Sequence, residues 1–450
     1  MSVAGDWLSR SFALLRTGDA KPAPKTPPDV RSTSERLQAT LRREPEALTP
    51  RALRRALAEL QAVVDPRVSE VEGARLAHAF MQWYAEASPE ERHDAWLLMS
   101  EQFAPDAGKV RAAREHYEAA LGTPDEGHAE IRLRRAFTSP RTRLLQRFAG
   151  SPDGLHFLVR MRADLLPHLK ADRRLLPLDA ELENLLSTWF DVAFLELHRI
   201  SWDSPASLVE KLIKYEAVHD IRSWADVKNR LDSDRRCYGF FHPRMPGEPL
   251  IFVEVALMDG IADSITPLLD ETGPESDLVR ATTAIFYSIS NTQPGLRGVS
   301  FGDSLIKHVV ETLRAEFPRL KTFATLSPIP GLRHWMARHA PPELMAALDD
   351  PLSLPPKSGA RAQLLAWAAR YLGRELDEGR PLDPVARFHL GNGARVERLN
   401  WAADPSAKGL KQSFGLMVNY LYDPKRLDKH RAMLAQGQIP ISGAIEDLYG

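Results

Sequence analysis

Apolar residues recur at three- and four-residue intervals from about Ser34 to Leu186, the spacing that lines one face of a helix. Arg51–Val64 shows it well: Leu53, Leu57, Leu60 and Val64 repeat with Arg and Glu between them, Thr49 is placed as an N-cap, and Pro50 fills the first helical position. Pro66, Pro89, Pro105, Pro140 and Pro152 punctuate successive segments, strand-type alternation is absent, and the period is too irregular for a solenoid repeat. This half predicts a helical bundle. It holds no convergent cluster of reactive side chains, which suits a scaffold or oligomerisation domain. The texture changes after Trp189. Tyr238–Phe241, Leu250–Ala256, Thr283–Ser288, Thr322–Leu326 and Phe414–Leu421 are short runs rich in β-branched and aromatic residues, with helical stretches at Ser207–Val218, Phe301–Glu316 and Arg361–Tyr371. Leu250–Ala256 is apolar on both faces except at Glu254, as a central strand covered on both sides would be. The pattern predicts a flexible tail over 1–33, a helical domain over 34–186 and an α/β domain over 187–450.

Composition narrows the classes. With 44% hydrophobic residues, the 450-residue chain has material for two or three packed cores and is not wholesale disordered. Its 59 basic and 60 acidic side chains leave a formal charge of −1, so no global field attracts nucleic acid or an anionic membrane. One cysteine, Cys237, excludes an intrachain disulfide and a cysteine-rich metal cage. No run approaches the ~20 apolar residues that span a bilayer, which predicts a soluble protein of a reducing compartment, placed in the cytoplasm. Asp6–Arg16 has the makings of a short amphipathic helix, but Pro22, Pro24, Pro27 and Pro28 make the next stretch an extended linker. Asp6 and the short basic run argue against a transit peptide, and the C-terminal Asp447–Gly450 carries no peroxisomal address.

The most informative stretch is Thr283–Lys307. A strand leads into a loop with Pro294, Gly295 and Gly298, and then into a helix with Leu305, Ile306, Val309, Val310 and Leu313 on its apolar side. That arrangement aims backbone N–H groups and a positive helix end at a phosphate. It is neither a Walker loop nor a dinucleotide fingerprint, for it lacks both Gly-Lys-Ser/Thr and G-x-G-x-x-G. Arg297–Gly302 (RGVSFG) instead matches the R/Q-x-x-G-x-G/A pyrophosphate loop of GNAT-type acyltransferases, with Ser300 in place of the middle glycine. Gly298–Gly302 also spells G-x-S-x-G, the nucleophile elbow of α/β-hydrolases. An elbow needs a strand running straight into the serine, whereas a loop precedes this one, and Asp404 follows His389 in the wrong order for a triad. Two further places hold reactive groups. Ser327 ends a β-rich run and is stiffened by Pro328 and Pro330. Asp383 and Pro384 can start a short helix that Gly391 ends, leaving His389 in its last turn beside Gly-Asn-Gly. There is no H-E-x-x-H and no cysteine–histidine pairing, so no metal site is expected.

Taken together, these stretches carry a resemblance. FFHP at Phe240–Pro243, PLIFVEVAL at Pro249–Leu257, TAIFYSIS at Thr283–Ser290, LSPIPG at Leu326–Gly331, FHLGNGA at Phe388–Ala394, NW at Asn400–Trp401 and GLMVNYLY at Gly415–Tyr422 occur in order. Gly154–Leu166 and Trp202–Ile221 extend the similarity upstream. The set resembles the malonyl-CoA decarboxylase family. That resemblance implies an N-terminal helical oligomerisation domain, a GNAT-like mixed α/β catalytic domain, and a homo-oligomer, dimer or tetramer, acting in fatty acid metabolism. It implies a catalytic serine and histidine at Ser327 and His389, a further active-site tyrosine at Tyr422, and a malonyl-CoA loop at Arg297, Gly298, Val299, Ser300, Phe301, Gly302 and Asp303. Some animal members carry glutamate where this chain has Ser300, so a role for that carboxylate does not transfer.

The chemistry suits these residue types. Loss of carbon dioxide from malonyl-CoA leaves an electron pair that enters the thioester as an enolate, so no metal or organic cofactor is needed. The protein must orient the carboxylate, hold the oxyanion and supply a proton to yield acetyl-CoA. His389 is expected to supply that proton near neutral pH and Ser327 to orient the substrate without becoming acylated. Backbone amides and Asn392 are the candidates for holding the enolate. Two rival readings are a GNAT-type CoA-dependent acyltransferase using the same loop and a non-catalytic acyl-CoA-binding scaffold.

Overall fold

The computed structural model describes residues 50–273, 276–299 and 305–449. The expected tail, the start of the helical domain, and Ser300, Phe301, Gly302 and Asp303 lie outside the described residues.

Among the described residues, eight α-helices come first: Pro50–Val64, Glu70–Glu86, Pro89–Gln102, Ala107–Ala120, Glu126–Phe137, Pro140–Gly150, Gly154–Leu165 and Leu176–Trp189. Two of the prolines open helices: Pro89 and Pro140 each follow a capping serine, Ser88 with a full capping box to Glu91 and Ser139 bonding the Thr142 N–H. The last of these helices runs to Trp189, and the first strand begins at Glu196.

The second half is built on a mixed sheet. Its strands are β1 (Glu196–Ile200), β2 (Arg235–Phe241), β3 (Pro249–Met258), β4 (Thr283–Asn291), β5 (Thr322–Thr325) and β6 (Ser327–Pro328), completed by β9 (Arg395–Asn400) and β10 (Met417–Tyr422). Between them in sequence, β7 (Leu376–Asp377) and β8 (Arg380–Pro381) form a separate hairpin. β1 to β4 are antiparallel neighbours. The helix Leu305–Glu316 then crosses over and returns the chain as β5, parallel to β4. β10 runs antiparallel along β5 and then β6, with β9 on its other side. Two helices after β1, an antiparallel β2–β3–β4 and a crossover to a parallel β5 give the GNAT-like order.

β3 is buried along its length except at Met258, which explains its almost wholly apolar sequence. Its one polar side chain, Glu254, meets the Arg230 guanidinium at 2.9 Å, and both are fully buried. Burial pushes the Glu254 carboxyl up to about 7, partly opposed by Arg230. A continuous apolar core joins the two halves: Leu158, Val159, Leu186 and Phe190 belong to the same cluster as Phe240, Ile251, Leu296 and Val299. The helical layer therefore packs on the sheet and on the loop that leaves β4.

Candidate active site

β4 and β5 are parallel, so their carboxyl ends lie at the same end of the sheet. The pairing stops at Phe286↔Thr325, although β4 continues to Asn291. Beyond that point the two strands part, and ligands characteristically bind where parallel strands end. The loop Thr292–Val299 leaves β4 here, and Ser327 lies just past the end of β5.

Ser327 pairs across to Val418 of β10, while Ala324 and Phe323 pair with Leu421 and Tyr422. Thr325 and Ser327, two residues apart, share a face, as do Tyr420 and Tyr422. The helix Pro384–Gly391 lays His389 against that face. Asp383 caps this helix by accepting from the Val385 and Ala386 N–H groups at 2.9 and 3.0 Å. The imidazole stacks on the Tyr420 ring at 4.7 Å and meets Tyr422 edge-on at 6.1 Å.

The polar atoms form one chain. The Tyr422 hydroxyl lies 2.7 Å from His389 Nδ1, and His389 Nε2 lies 3.2 Å from Ser327 Oγ. Ser327 Oγ donates to Thr325 Oγ1 at 2.9 Å, and the Tyr420 N–H reaches the same oxygen at 3.1 Å. Because Ser327 spends its hydrogen on Thr325, the bond to Nε2 is donated by the ring, and Nδ1 accepts from Tyr422. This assigns the Nε2–H tautomer of a neutral imidazole. Burial agrees, pushing the His389 pKa down to about 3 with no charged neighbour to oppose it. The sequence led us to expect a ring titrating near neutrality; enclosure by aromatic rings instead holds His389 unprotonated in the free site. Burial also raises the Tyr422 hydroxyl well above its ordinary value, keeping it a donor.

Asn392 and Tyr422 line one cleft of about 90 Å³ with Ile306, Val310 and Leu427. The Asn392 Nδ2 donates to Phe388 O at 2.8 Å, and its Oδ1 is buried without a protein partner. Asn392 thus stands beside Tyr422 at the cleft with its amide nitrogen engaged by the Phe388 carbonyl. Arg297, Gly298 and Val299 sit in the loop after β4, and among the described residues no carboxylate pairs with the Arg297 guanidinium. Ser327, His389 and Tyr422 are thus brought into one hydrogen-bonded chain, while Arg297–Val299 form a separate arm at the same sheet end. Sequence reasoning missed Thr325 and Tyr420. The alternations Thr-x-Ser and Tyr-x-Tyr were the available signals.

Fold and sheet order define a GNAT-like enzyme domain carrying an N-terminal helical domain. The family description "Malonyl-CoA decarboxylase C-terminal domain" matches residues 193–449, and its N-terminal counterpart matches residues 103–190. The mitochondrial malonyl-CoA decarboxylase of Mus musculus is 38% identical over 363 residues, covering 70% of this chain and 71% of its own. Among solved structures, malonyl-CoA decarboxylase from Rhodopseudomonas palustris superposes with a TM-score of 0.79 at 40% identity, over 88% of this chain and 99% of that one. The enzyme from Cupriavidus metallidurans does so at 0.71 and 44%, over 88% and 100%. The chain belongs to the malonyl-CoA decarboxylase family and is a carboxy-lyase. Among the described residues, no helix is long and apolar enough to cross a membrane.

Proposed function

We propose that this chain converts malonyl-CoA to acetyl-CoA and carbon dioxide, with Ser327, His389 and Tyr422 at the reacting end and the Arg297–Val299 loop holding the phosphates of CoA. The observation that carries the reading is the neutral His389 ring held between the Ser327 and Tyr422 hydroxyls. The thioester occupies the gap where β4 and β5 part. The Ser327 hydroxyl turns from Thr325 to the substrate, and Thr325 Oγ1 keeps its bond from the Tyr420 N–H.

The bond between the α-carbon and the carboxylate breaks, its electron pair enters the thioester as an enolate, and carbon dioxide leaves. The α-carbon then takes the Nε2 proton of His389 while Nδ1 takes the proton of Tyr422. The Tyr422 phenolate then takes its proton back from Nδ1 while Nε2 takes one from water, which restores the Nε2–H tautomer. A thioester enolate is far more basic than either group, so no imidazolium is required. Ser327 acts by position and forms no acyl-enzyme. The helical layer, with its seam near residues 186–187, serves as the assembly domain of a homo-oligomer.

The test is purified protein with carboxyl-labelled malonyl-CoA and no other substrate. Release of labelled carbon dioxide is the expected result. Label retained unless an amine acceptor is added would establish an acyltransferase, and binding without turnover a scaffold.

A further inference from the structure

The helix Gly154–Leu165 carries a single fully buried charge, Arg162, which is 1% exposed. Four hydrogen bonds hold its guanidinium. Nε donates to Asp179 at 2.8 Å and Nη2 to Glu183 at 2.9 Å, both on the helix Leu176–Trp189. Nη1 leaves the helical layer altogether and donates to two carbonyls of the loop after β4, Gly295 O at 2.9 Å and Arg297 O at 2.8 Å. The contact is close-fitting on the backbone as well. A Cβ on Gly295 would lie 1.8 Å from Val159 O, so only glycine lets the loop settle on this helix.

Pinning these carbonyls has a geometric consequence. In a planar trans peptide the C=O and the following N–H point in opposite directions. Holding Arg297 O toward Arg162 therefore turns the Gly298 N–H away from the helical layer, and Gly298, exposed and at φ +83°, sits at the bend where that N–H faces outward. Arg162 also sets the local charge. The Glu183 carboxylate lies 3.4 Å from where a Gly298 Cβ would stand, and without the guanidinium its negative charge would oppose an anion there.

We infer that Arg162 is a positioning residue for the CoA-phosphate loop, through which the helical layer presets the catalytic domain's affinity for its nucleotide-bearing substrate. The inference rests on the reading that the loop binds the phosphates of CoA. Arg162 touches no substrate; it fixes the carbonyls at 295 and 297 and neutralises Glu183.

The experiment compares kcat/KM for malonyl-CoA with that for malonyl-pantetheine, which lacks every phosphate, in wild type, Arg162→Met, Arg162→Lys and Asp179→Asn. The ratio of the two should fall about tenfold in Arg162→Met, carried by KM for malonyl-CoA, and less in Arg162→Lys, which keeps the charge and part of the donation. Asp179→Asn leaves Arg162 in place but loosens it, so a smaller fall in the same direction is expected even if the methionine variant does not fold. Equal losses on both substrates would make Arg162 an ordinary buried ion pair and overturn the inference. Arg297→Ala separates the two levels of failure. If it shifts the ratio while the Arg162 and Asp179 variants do not, the positioning role is wrong; if it leaves the ratio at the wild-type value, the loop does not bind the phosphates.

Discussion

His389→Gln and His389→Asn together isolate what the imidazole contributes. Glutamine places an amide near the position of Nε2, within reach of Ser327, and asparagine places one near Nδ1, within reach of Tyr422. Each keeps one of the two hydrogen bonds, at 3.2 and 2.7 Å in the native site, and each lacks a group able to pass a proton. The lost contact leaves a hydroxyl short of a partner in a buried site, a stability cost of about 1–3 kcal/mol. The chemical cost is separate and larger. A positioned proton donor is worth about 10²–10⁴ in rate, or about 2.7–5.4 kcal/mol at 1.36 kcal/mol per decade.

Both variants should therefore bind malonyl-CoA with KM close to wild type and lose two to four decades of kcat, since the proton moves only as the reaction proceeds. Labelled carbon dioxide release measures kcat. Deuterium in the acetyl methyl provides an independent readout: in heavy water the wild type inserts one deuterium, and the variants should do so more slowly or with less stereochemical control. A glutamine variant that keeps kcat within about threefold would refute the argument, because an amide can orient Ser327 but cannot donate to carbon.

Arg297→Ala should raise KM for malonyl-CoA about tenfold, a charge-assisted hydrogen bond to phosphate being worth about 1.5–3 kcal/mol; steady-state kinetics with unchanged KM and depressed kcat would contradict it. Intact-mass spectra taken during turnover should show no acyl adduct on Ser327, whose hydroxyl is framed by Pro328 and Pro330 without an elbow; a stoichiometric adduct would revive the hydrolase-type reading. Stability should fall as pH drops from about 6.5 toward 3, where buried His389 and His219, both held down to about 3, stay neutral in the fold but take up protons on unfolding. Chemical denaturation of His389→Asn against pH should show a shallower fall across that window, and an unchanged slope would mean His389 is already protonated in the native state.

β3 was legible in the sequence because burial on both faces leaves a run with no polar interruption but Glu254, and β4 was legible through its buried stretch Ala-Ile-Phe-Tyr at 284–287. The helix carrying His389 was legible because its start and stop, Asp383-Pro384 and Gly391, are local chemistry. β1 was not: Glu196–Ile200 lies at the sheet edge with only Ile200 buried, so its side chains show no alternation. β9 (RVERLN) is half-covered and equally mute, and β6 is two residues long. The site divides along the same line. Ser327 and His389 stood out by residue type and by their rigid or capped surroundings, but only the family resemblance marked them as catalytic candidates. Thr325 and Tyr420 owe their place to the register of β10 against β5 and β6, a relation across some 95 residues of chain that no local pattern encodes. Arg162 is hidden for a similar reason, since its partners Gly295 and Arg297 are more than 130 residues away. The neutral state of His389 depends on enclosure by Tyr420 and Tyr422, and residue identity alone suggested the opposite.

The parallel pairing of β4 and β5 puts the Ser327–His389–Tyr422 chain and the Arg297 loop at one end of the sheet. Were β5 antiparallel to β4, its carboxyl end would lie at the far end of the sheet from the loop. At about 3.3 Å per residue, the four paired positions would then carry Ser327 roughly 10 Å further from Arg297. The parallel return requires a crossover, and the helix Leu305–Glu316 supplies it; its Ile306 and Val310 side chains form a wall of the cleft that Tyr422 and Asn392 share. The same crossover forces the chain out of the sheet at the end of β4, so the loop that precedes it must be held by something other than strand pairing. Arg162 and the backbone at Val159 provide that hold from the helical layer. Sheet topology thus places the Ser327–His389–Tyr422 chain, and interdomain packing holds the loop at the same end.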